Sequence, residues 1–418
     1  MTTSAFRVLI VGAGAAGYFA AIRCAELNPT ATVEIVESAK KPLQKVRISG
    51  GGRCNVTQGC FDIATLLKGY PRGAKELRGA LHTFQPRDTV EWFESRGVKL
   101  KREDDGRMFP VSNMSQSVLD CFENERRRLG VSLLLQTKVT SVIKKDKRFL
   151  VQLSSRKNAE SKKGEQKEYD SVLIATGSSS SGYELAQKLD HSITKRVPSL
   201  FTFQVKDPRI EGLAGVSVQN AEVKLTLLET KPLVEEGPLL ITHWGFSGPA
   251  VIKLSAWGAK DLFAHKYKGA LRVSWLPASM RSFFVDEIAK FKKHNPKKQV
   301  YLNPLASLPK SLWQSLCSYL KISKELKFAE LSKKHARGLE EEVFNAGYQI
   351  DGKGVFKEEF VTCGGIELKE VDFRTMESKC VPKLYFAGEI LNIDGITGGY
   401  NFQSAWTTAF IAGSSISL

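Results

Sequence analysis

The sequence predicts an α/β protein. A domain built on a parallel sheet is assembled from both chain ends, a β-rich domain is inserted into it, and a helical subdomain is nested in the insert. Three observations predict this. The chain opens with a strand, glycine turn, helix and strand over Val8–Glu37, and it closes with a strand and a glycine-rich helix start over Leu384–Ala412. From about residue 195 the pattern changes to short alternating strands. From Ser282 to Gly338 it becomes helical, broken by Pro296, Pro304 and Pro309.

The opening unit carries the most specific signal. Val8-Leu9-Ile10-Val11 is an apolar run without turn residues, as expected of a buried parallel strand. Gly12 permits the tight turn out of it, Gly14 lets backbone approach a pyrophosphate, and Gly17 lets the helix pack on the strand. Ala15 and Ala16 begin that helix, whose free N–H groups and positive dipole end favour phosphate. A second strand, Val33-Glu34-Ile35-Val36, ends at Glu37, 20 residues after Gly17, where a carboxylate can accept from ribose hydroxyls. Together these define a Rossmann-like dinucleotide site. The uncharged stretch Val8–Ile22 could pass for a secretory signal, but its glycines and the lack of an A-x-A site argue against that.

Composition narrows the class. The chain has 418 residues, enough for two or three domains. No apolar run is long enough to span a membrane. Seven scattered cysteines without CxxC argue against a disulfide framework or zinc site and suit a reducing compartment. Six dispersed histidines give no metal-ligand spacing, so no metal is expected. The absence of a presequence before the first strand points to the cytoplasm, with a processed organelle protein as the alternative. The net charge of +17 favours anionic ligands.

After Glu37 comes a break at Lys40-Lys41-Pro42, then Lys45 and the run Ser49-Gly50-Gly51-Gly52-Arg53-Cys54-Asn55-Val56-Thr57. Three successive glycines are disfavoured inside a helix or strand and suggest backbone pressed against a ligand, with Arg53 and Asn55 as added donors. The competing reading is a flexible surface loop. Cys54 reads as a small loop residue rather than a redox thiol.

Lys45 with Ser-Gly-Gly-Gly-Arg-Cys-Asn-x-Thr resembles the signature of the HI0933-like flavoproteins, also called BaiN-like or YhiN-like FAD-dependent oxidoreductases. The resemblance continues at Gly106-Arg107-Met108-Phe109-Pro110, at Thr242-His243-Trp244-Gly245-Phe246-Ser247-Gly248-Pro249, and at Val361–Ile366 and Glu370–Ser378. It implies FAD in the Rossmann unit; a nicotinamide donor, NADH or NADPH, would bind transiently without a Rossmann domain of its own, or is not used.

The remaining elements follow in order. Residues 60–130 read as largely helical, interrupted by a turn and short strand at 103–110. Arg107 is a candidate for holding an anionic substrate or a cofactor edge, against a surface arginine paired with Asp104 or Asp105. Val131–Leu135 and Thr137–Val142 read as strands that continue the sheet. The resemblance puts backbone near Val139 beside the adenine. The polar stretch 154–168 reads as a mobile hairpin extension. Ser171–Gly177 is a strand ending at Thr176-Gly177, which the resemblance places beside the Rossmann turn and the cofactor. In the insert, His243 is a general-base candidate, though a turn histidine bonded to backbone is the plainer reading. Residues 281–337 hold thirteen Lys/Arg against four Asp/Glu, an excess of +9, but their aromatics fit a helical core, so a nucleic-acid partner is disfavoured.

Near the end, Leu384-Tyr385-Phe386-Ala387-Gly388-Glu389 is a strand ending in Gly-acid, and Glu389 can bind ribityl hydroxyls. Thr397-Gly398-Gly399-Tyr400-Asn401 opens the last helix and can direct N–H groups at the pyrimidine side of a flavin. The expected domains are 1–195 with 357–418 for FAD, 196–277 with 340–356 for the β-rich substrate domain, and 278–339 for the helical subdomain. The expected function is hydride transfer between FAD and a small organic molecule. Alternatives are a flavin oxidase using O2, an RNA-modifying or RNA-binding flavoprotein, and a flavin-containing binding protein without turnover. Arg107, His243 and Tyr400 are the catalytic candidates; the sequence leaves the oligomeric state open.

Overall fold

The computed structural model describes residues 6–155, 165–354 and 361–417. It divides into two compact units, 1–196 with 361–418, and 197–360. The polar stretch expected to form a mobile extension falls mostly on 156–164, and the expected return at 357 falls on 355–360; both lie outside the described residues.

The first unit is built on a seven-stranded sheet. Its parallel strands lie in the order 384–386, 171–174, 7–11, 32–36 and 132–134. Val11 sits level with Ile174 on one side and Val36 on the other, so the strand ends that precede Gly12, Glu37 and Gly177 are side by side. Val8, Leu9, Ile10, Val172, Leu173 and Ile174 are fully buried. Each such side chain contributes about 1.5–3 kcal/mol of hydrophobic stabilisation, which fixes this edge firmly. Antiparallel strands at 377–378 and 371–372 extend the sheet.

Two helices meet against the sheet. Ala15–Leu27 is rich in small residues, and Tyr400–Ser415 lies close to it. A Cβ at Gly413 would come within 2.6 Å of the Ala20 carbonyl, so glycine sets the close approach. An aromatic cluster of Phe19, Phe84, Trp92, Phe122 and Trp406 ties both to the flanking helices Pro86–Glu94 and Gln116–Arg128, with Phe19 and Trp406 rings 5.5 Å apart.

One expectation changes. The strand at Thr137–Lys145 does not continue the parallel sheet: it pairs antiparallel with Arg148–Ser155, which pairs with Glu165–Tyr169. Its alternating burial shows why, because a strand with one wet face suits a meander rather than a doubly covered parallel sheet.

The second unit holds a seven-stranded antiparallel sheet in the order 346–350, 269–274, 217–226, 233–242, 245–247, 203–204 and 352–353. Helices Arg281–His294, Lys310–Tyr319 and Lys333–Phe344 share one hydrophobic core with this sheet. Arg209 links them: its guanidinium pairs with Asp207 and Glu342 at 2.7 Å, donates to the Gly347 carbonyl, and lies over the Tyr348 ring at 4.0 Å. With so many partners a buried arginine avoids the penalty of an unpaired charge. No helix among the described residues is long and apolar enough to cross a membrane.

Candidate dinucleotide and active site

The three fingerprint glycines do different things. Gly12 has φ +106°, and a Cβ there would meet the Ala175 carbonyl at 2.6 Å. A Cβ at Gly17 would lie 1.9 Å from the Gly12 carbonyl, so Gly17 is a packing requirement. Gly14 is different: no atom lies within 4 Å of its Cβ position, so the helix start faces open space. Ala15 is the first helical residue, and buried Ala16 packs where a Cβ on Gly388 would come within 2.7 Å.

Glu37 is anchored at this turn. Its carboxylate accepts from Ala13 N–H and Ala39 N–H, each at 2.8 Å. Thr137 N–H donates to the Glu37 carbonyl at 2.9 Å, which brings the start of the Val139 strand alongside. A cavity of about 530 Å³ opens here, lined by Ser38, Lys40, Gln136, Lys138 and Ser179 among others.

Lys45, on the short helix Gln44–Ile48, pairs with Glu389 at 2.6 Å and reaches the Ser178 hydroxyl at 3.2 Å. The other Glu389 oxygen accepts from Thr362 N–H at 3.0 Å. Gly177, at φ +58°, faces the same carboxylate. Thr176 turns its buried hydroxyl inward toward Gly182. Because Lys45 is about half exposed, this pair contributes little stability and separates cheaply when a ligand competes.

The glycine loop is left-handed throughout, with φ of +57°, +68° and +84° at Gly50, Gly51 and Gly52. A β-carbon would be strained at each. Gly51 and Gly52 face open space, as Gly14 does. Ser49 closes the loop by donating to the Val46 carbonyl and accepting from Cys54 N–H. Cys54 is fully buried, and burial pushes its thiol up to about 12, so little reactive thiolate forms at neutral pH. Arg53 pairs with Glu103 at 2.6 Å and lies over the Phe109 ring at 3.9 Å. Arg107 pairs with the same Glu103 at 3.1 Å and with Asp105 at 2.6 Å, the neighbour-paired arrangement.

The C-terminal segment meets this loop. With its amide oriented to suit its neighbours, Asn55 donates to the Thr57 and Met108 carbonyls and accepts from Gly399 N–H at 2.9 Å. Asn401 is likewise a backbone clamp, bonded at 2.9 Å to both N–H and carbonyl of Gly395. Thr397 and Gly398 lie between these clamps, partly exposed. Tyr400 is held by Tyr70, whose hydroxyl donates to the Tyr400 carbonyl at 2.8 Å. His243 belongs to the second unit, exposed in the turn between strands 233–242 and 245–247.

Sequence reasoning missed three groups. Arg72 makes a two-point ion pair with fully buried Asp394, just before the glycine turn. Gln403, fully buried, accepts from Thr57 and Thr89 hydroxyls at 2.6 and 2.8 Å and donates to Thr407 at 3.0 Å. Gln58 is buried beside Gly398. A polar residue at an apolar helix position could have flagged Gln403, but nothing local marks its partners. Among the described residues no group of three or more His, Cys, Asp or Glu is placed to hold a metal.

Comparison with known proteins places this geometry. The family model described as HI0933-like protein Rossmann domain matches residues 6–415. The 3-dehydro-bile acid delta(4,6)-reductase of Clostridium scindens is 31% identical, covering 97% of this chain and 98% of its own. The ribosomal RNA dihydrouridine synthase of Haemophilus influenzae is 29% identical, covering 98% of both. Among solved structures, the 3-ketosteroid delta1-dehydrogenase of Sterolibacterium denitrificans superposes with a TM-score of 0.51 at 13% identity, over 98% of this chain and 99% of that one. That likeness is one of fold. The chain belongs to the HI0933-like family of FAD-dependent oxidoreductases.

Proposed function

We propose that the chain reduces a carbon–carbon double bond conjugated to a carbonyl in a small organic substrate, using bound FAD and NADH or NADPH as a transient donor. One observation carries the cofactor assignment: Gly14, Gly51 and Gly52 face open space while Gly12, Gly17 and Gly399 are packed against backbone. Bare backbone at the first three positions is what close approach to a pyrophosphate and a flat ring requires. The reaction class is supported by the full-length relatives, named for a steroid-acid double-bond reduction and for dihydrouridine formation. In both products an alkene polarised by a carbonyl has been saturated.

In this reading the N–H groups at Gly14, Ala15 and Ala16 take the pyrophosphate and Glu37 takes the adenosine ribose. Backbone at Val139 flanks the adenine. Lys45, Glu389, Thr176, Gly177 and Gly388 hold the ribityl and phosphate region, and Ser49–Asn55 and Thr397–Asn401 frame the ring. When bound, FAD supplies the hydride. The chain orients the ring, and the last helix, 16 residues long, directs its positive end at the ring's negative edge. Arg107 is already satisfied by Glu103 and Asp105, so Tyr400 is the stronger catalytic candidate. The cysteines form no disulfide among the described residues, which suits a reducing cytoplasm.

A second reading puts the double bond in a uracil of RNA. The observation favouring it is charge: +17 overall, with full-length relatives named for ribosomal RNA. Binding of a uridine-containing RNA that weakens steeply with salt supports it; salt-insensitive or absent binding leaves the small-molecule reading. Fast reoxidation of the reduced protein by O2 would instead favour an oxidase.

A further inference from the structure

We propose that Tyr400 is the proton donor of this reduction, its ring and the amide of Gln58 flanking the bare face of Gly398. The inference rests on the reductase reading above and adds a named residue to it.

The ring of Tyr400 is fixed. Its edge meets the Tyr70 ring, with centroids 5.5 Å apart and planes at 82°. It lies across Gly69, where a Cβ would come within 2.2 Å of its Cε1. One edge of the ring lies beside Gly398, with the Gln58 amide on the other side of that glycine. Gln58 is itself positioned: it is 8% exposed, its Nε2 reaches the Asp105 carbonyl at 3.4 Å, and its Oε1 faces the Cα of Gly106. The amide therefore presents N–H, not oxygen, toward Gly398. A Cβ at Gly398 would lie 3.5 Å from both Gln58 Nε2 and Tyr400 Cε2, so amide and phenol flank a glycine that leaves space between them. Burial raises the phenol's pKa above its ordinary value, with the Cys60 thiol adding to the effect, so the group stays protonated at neutral pH.

Reduction of a conjugated alkene adds a hydride at the β-carbon and a proton at the α-carbon. The hydride and its electron pair are the reduced flavin's contribution. The proton is the protein's: the Tyr400 Oη–H bond breaks, its electron pair stays on the phenolate oxygen, and the enolate's electron pair forms the new α-C–H bond. Water returns a proton to the phenolate.

The test compares wild type, Tyr400→Phe and Gln58→Leu, each loaded with FAD. FAD affinity is measured first, then affinity of the oxidised protein for two probes: 4-androstene-3,17-dione and a uridine-containing oligoribonucleotide. Each protein is then photoreduced anaerobically and mixed with each probe. Tyr400→Phe is expected to bind FAD and probe as wild type does, while flavin reoxidation slows about 10²–10⁴-fold and the solvent deuterium isotope effect on that step changes. Gln58→Leu is expected to slow it less. Equal rates in wild type and Tyr400→Phe overturn the inference and leave the reductase reading intact. A rate loss matched by an equal loss of FAD affinity overturns it too, since the tyrosine is then structural. Wild type that neither probe reoxidises overturns the reductase reading, and the inference with it.

Discussion

Alanine at Gly14 and alanine at Gly17 make the same chemical change three residues apart, and the structure gives them opposite outcomes. At Gly17 the new methyl would sit 1.9 Å from the Gly12 carbonyl, so strand and helix must part. Overpacking of this kind costs about 1–3 kcal/mol. At about 2–4 °C per kcal/mol for a domain of this size, the melting temperature of apoprotein falls by several degrees. At Gly14 the methyl meets nothing within 4 Å, and the backbone, φ −88° and ψ −169°, is one alanine adopts without strain. Alanine is the poorer N-cap by about 1 kcal/mol, offset by about 0.4–1 kcal/mol from the stiffer unfolded chain. Stability should therefore change by less than about 1 kcal/mol. Affinity should not survive, because the methyl occupies the path of the phosphate. Loss of one charge-assisted hydrogen bond, about 1.5–3 kcal/mol, weakens FAD binding about ten- to 150-fold. Apoprotein melting and titration of FAD by fluorescence quenching report the two quantities separately. Wild-type FAD affinity in Gly14→Ala, with normal melting, would refute the assignment of the open glycine to the pyrophosphate.

Other predictions follow from single contacts. Gln403→Leu strands the hydroxyls of Thr57 and Thr89 in the core; at about 1–3 kcal/mol per unsatisfied group, the urea midpoint should fall clearly, and an unchanged midpoint would mean the network is slack. Cys54→Ser should leave reduction of bound flavin by a nicotinamide donor unchanged, because the buried thiol sits at about 12 and stays protonated; loss of flavin bleaching in that variant would restore a redox role. His191 is held below its ordinary pKa by burial, against the pull of Glu370 and Asp190. Its folded value therefore lies below its unfolded value of about 6.5, so its contribution is complete above that pH and is lost as pH falls. The melting temperature should drop on acidification, and less so in His191→Gln; parallel profiles would show that other groups dominate.

The parts legible in the sequence were those whose cause is local. Gly12, Gly14 and Gly17 declare a strand-turn-helix because the steric requirement lies within six residues. The left-handed run at Gly50–Gly52 is legible for the same reason. The residue types of 137–142 suit the parallel sheet, but the strand 137–145 pairs elsewhere because its partner is fixed by which face is wet. The helices at 281–344 looked like a subdomain, yet their apolar faces complete the core of the antiparallel sheet, through residues far apart in sequence. The site divides the same way. Asn55 looks like a ligand donor in the sequence, yet it is spent on backbone at Gly399, as Asn401 is at Gly395. Arg72 with Asp394 spans 322 residues, and Gln403 with Thr57 spans 346, so no window of sequence contains either. These long-range clamps tie the glycine loop near residue 50 to the turn near residue 398.

The central claim is that both chain ends build one flavin site serving a reductase. Its most direct test is the absorption spectrum of the purified full chain, loaded with FAD and titrated anaerobically with NADH and NADPH. The account predicts a yellow protein whose flavin bands bleach with at least one donor and return on adding a conjugated enone or a uridine-containing RNA. A colourless protein that takes up no FAD would contradict it.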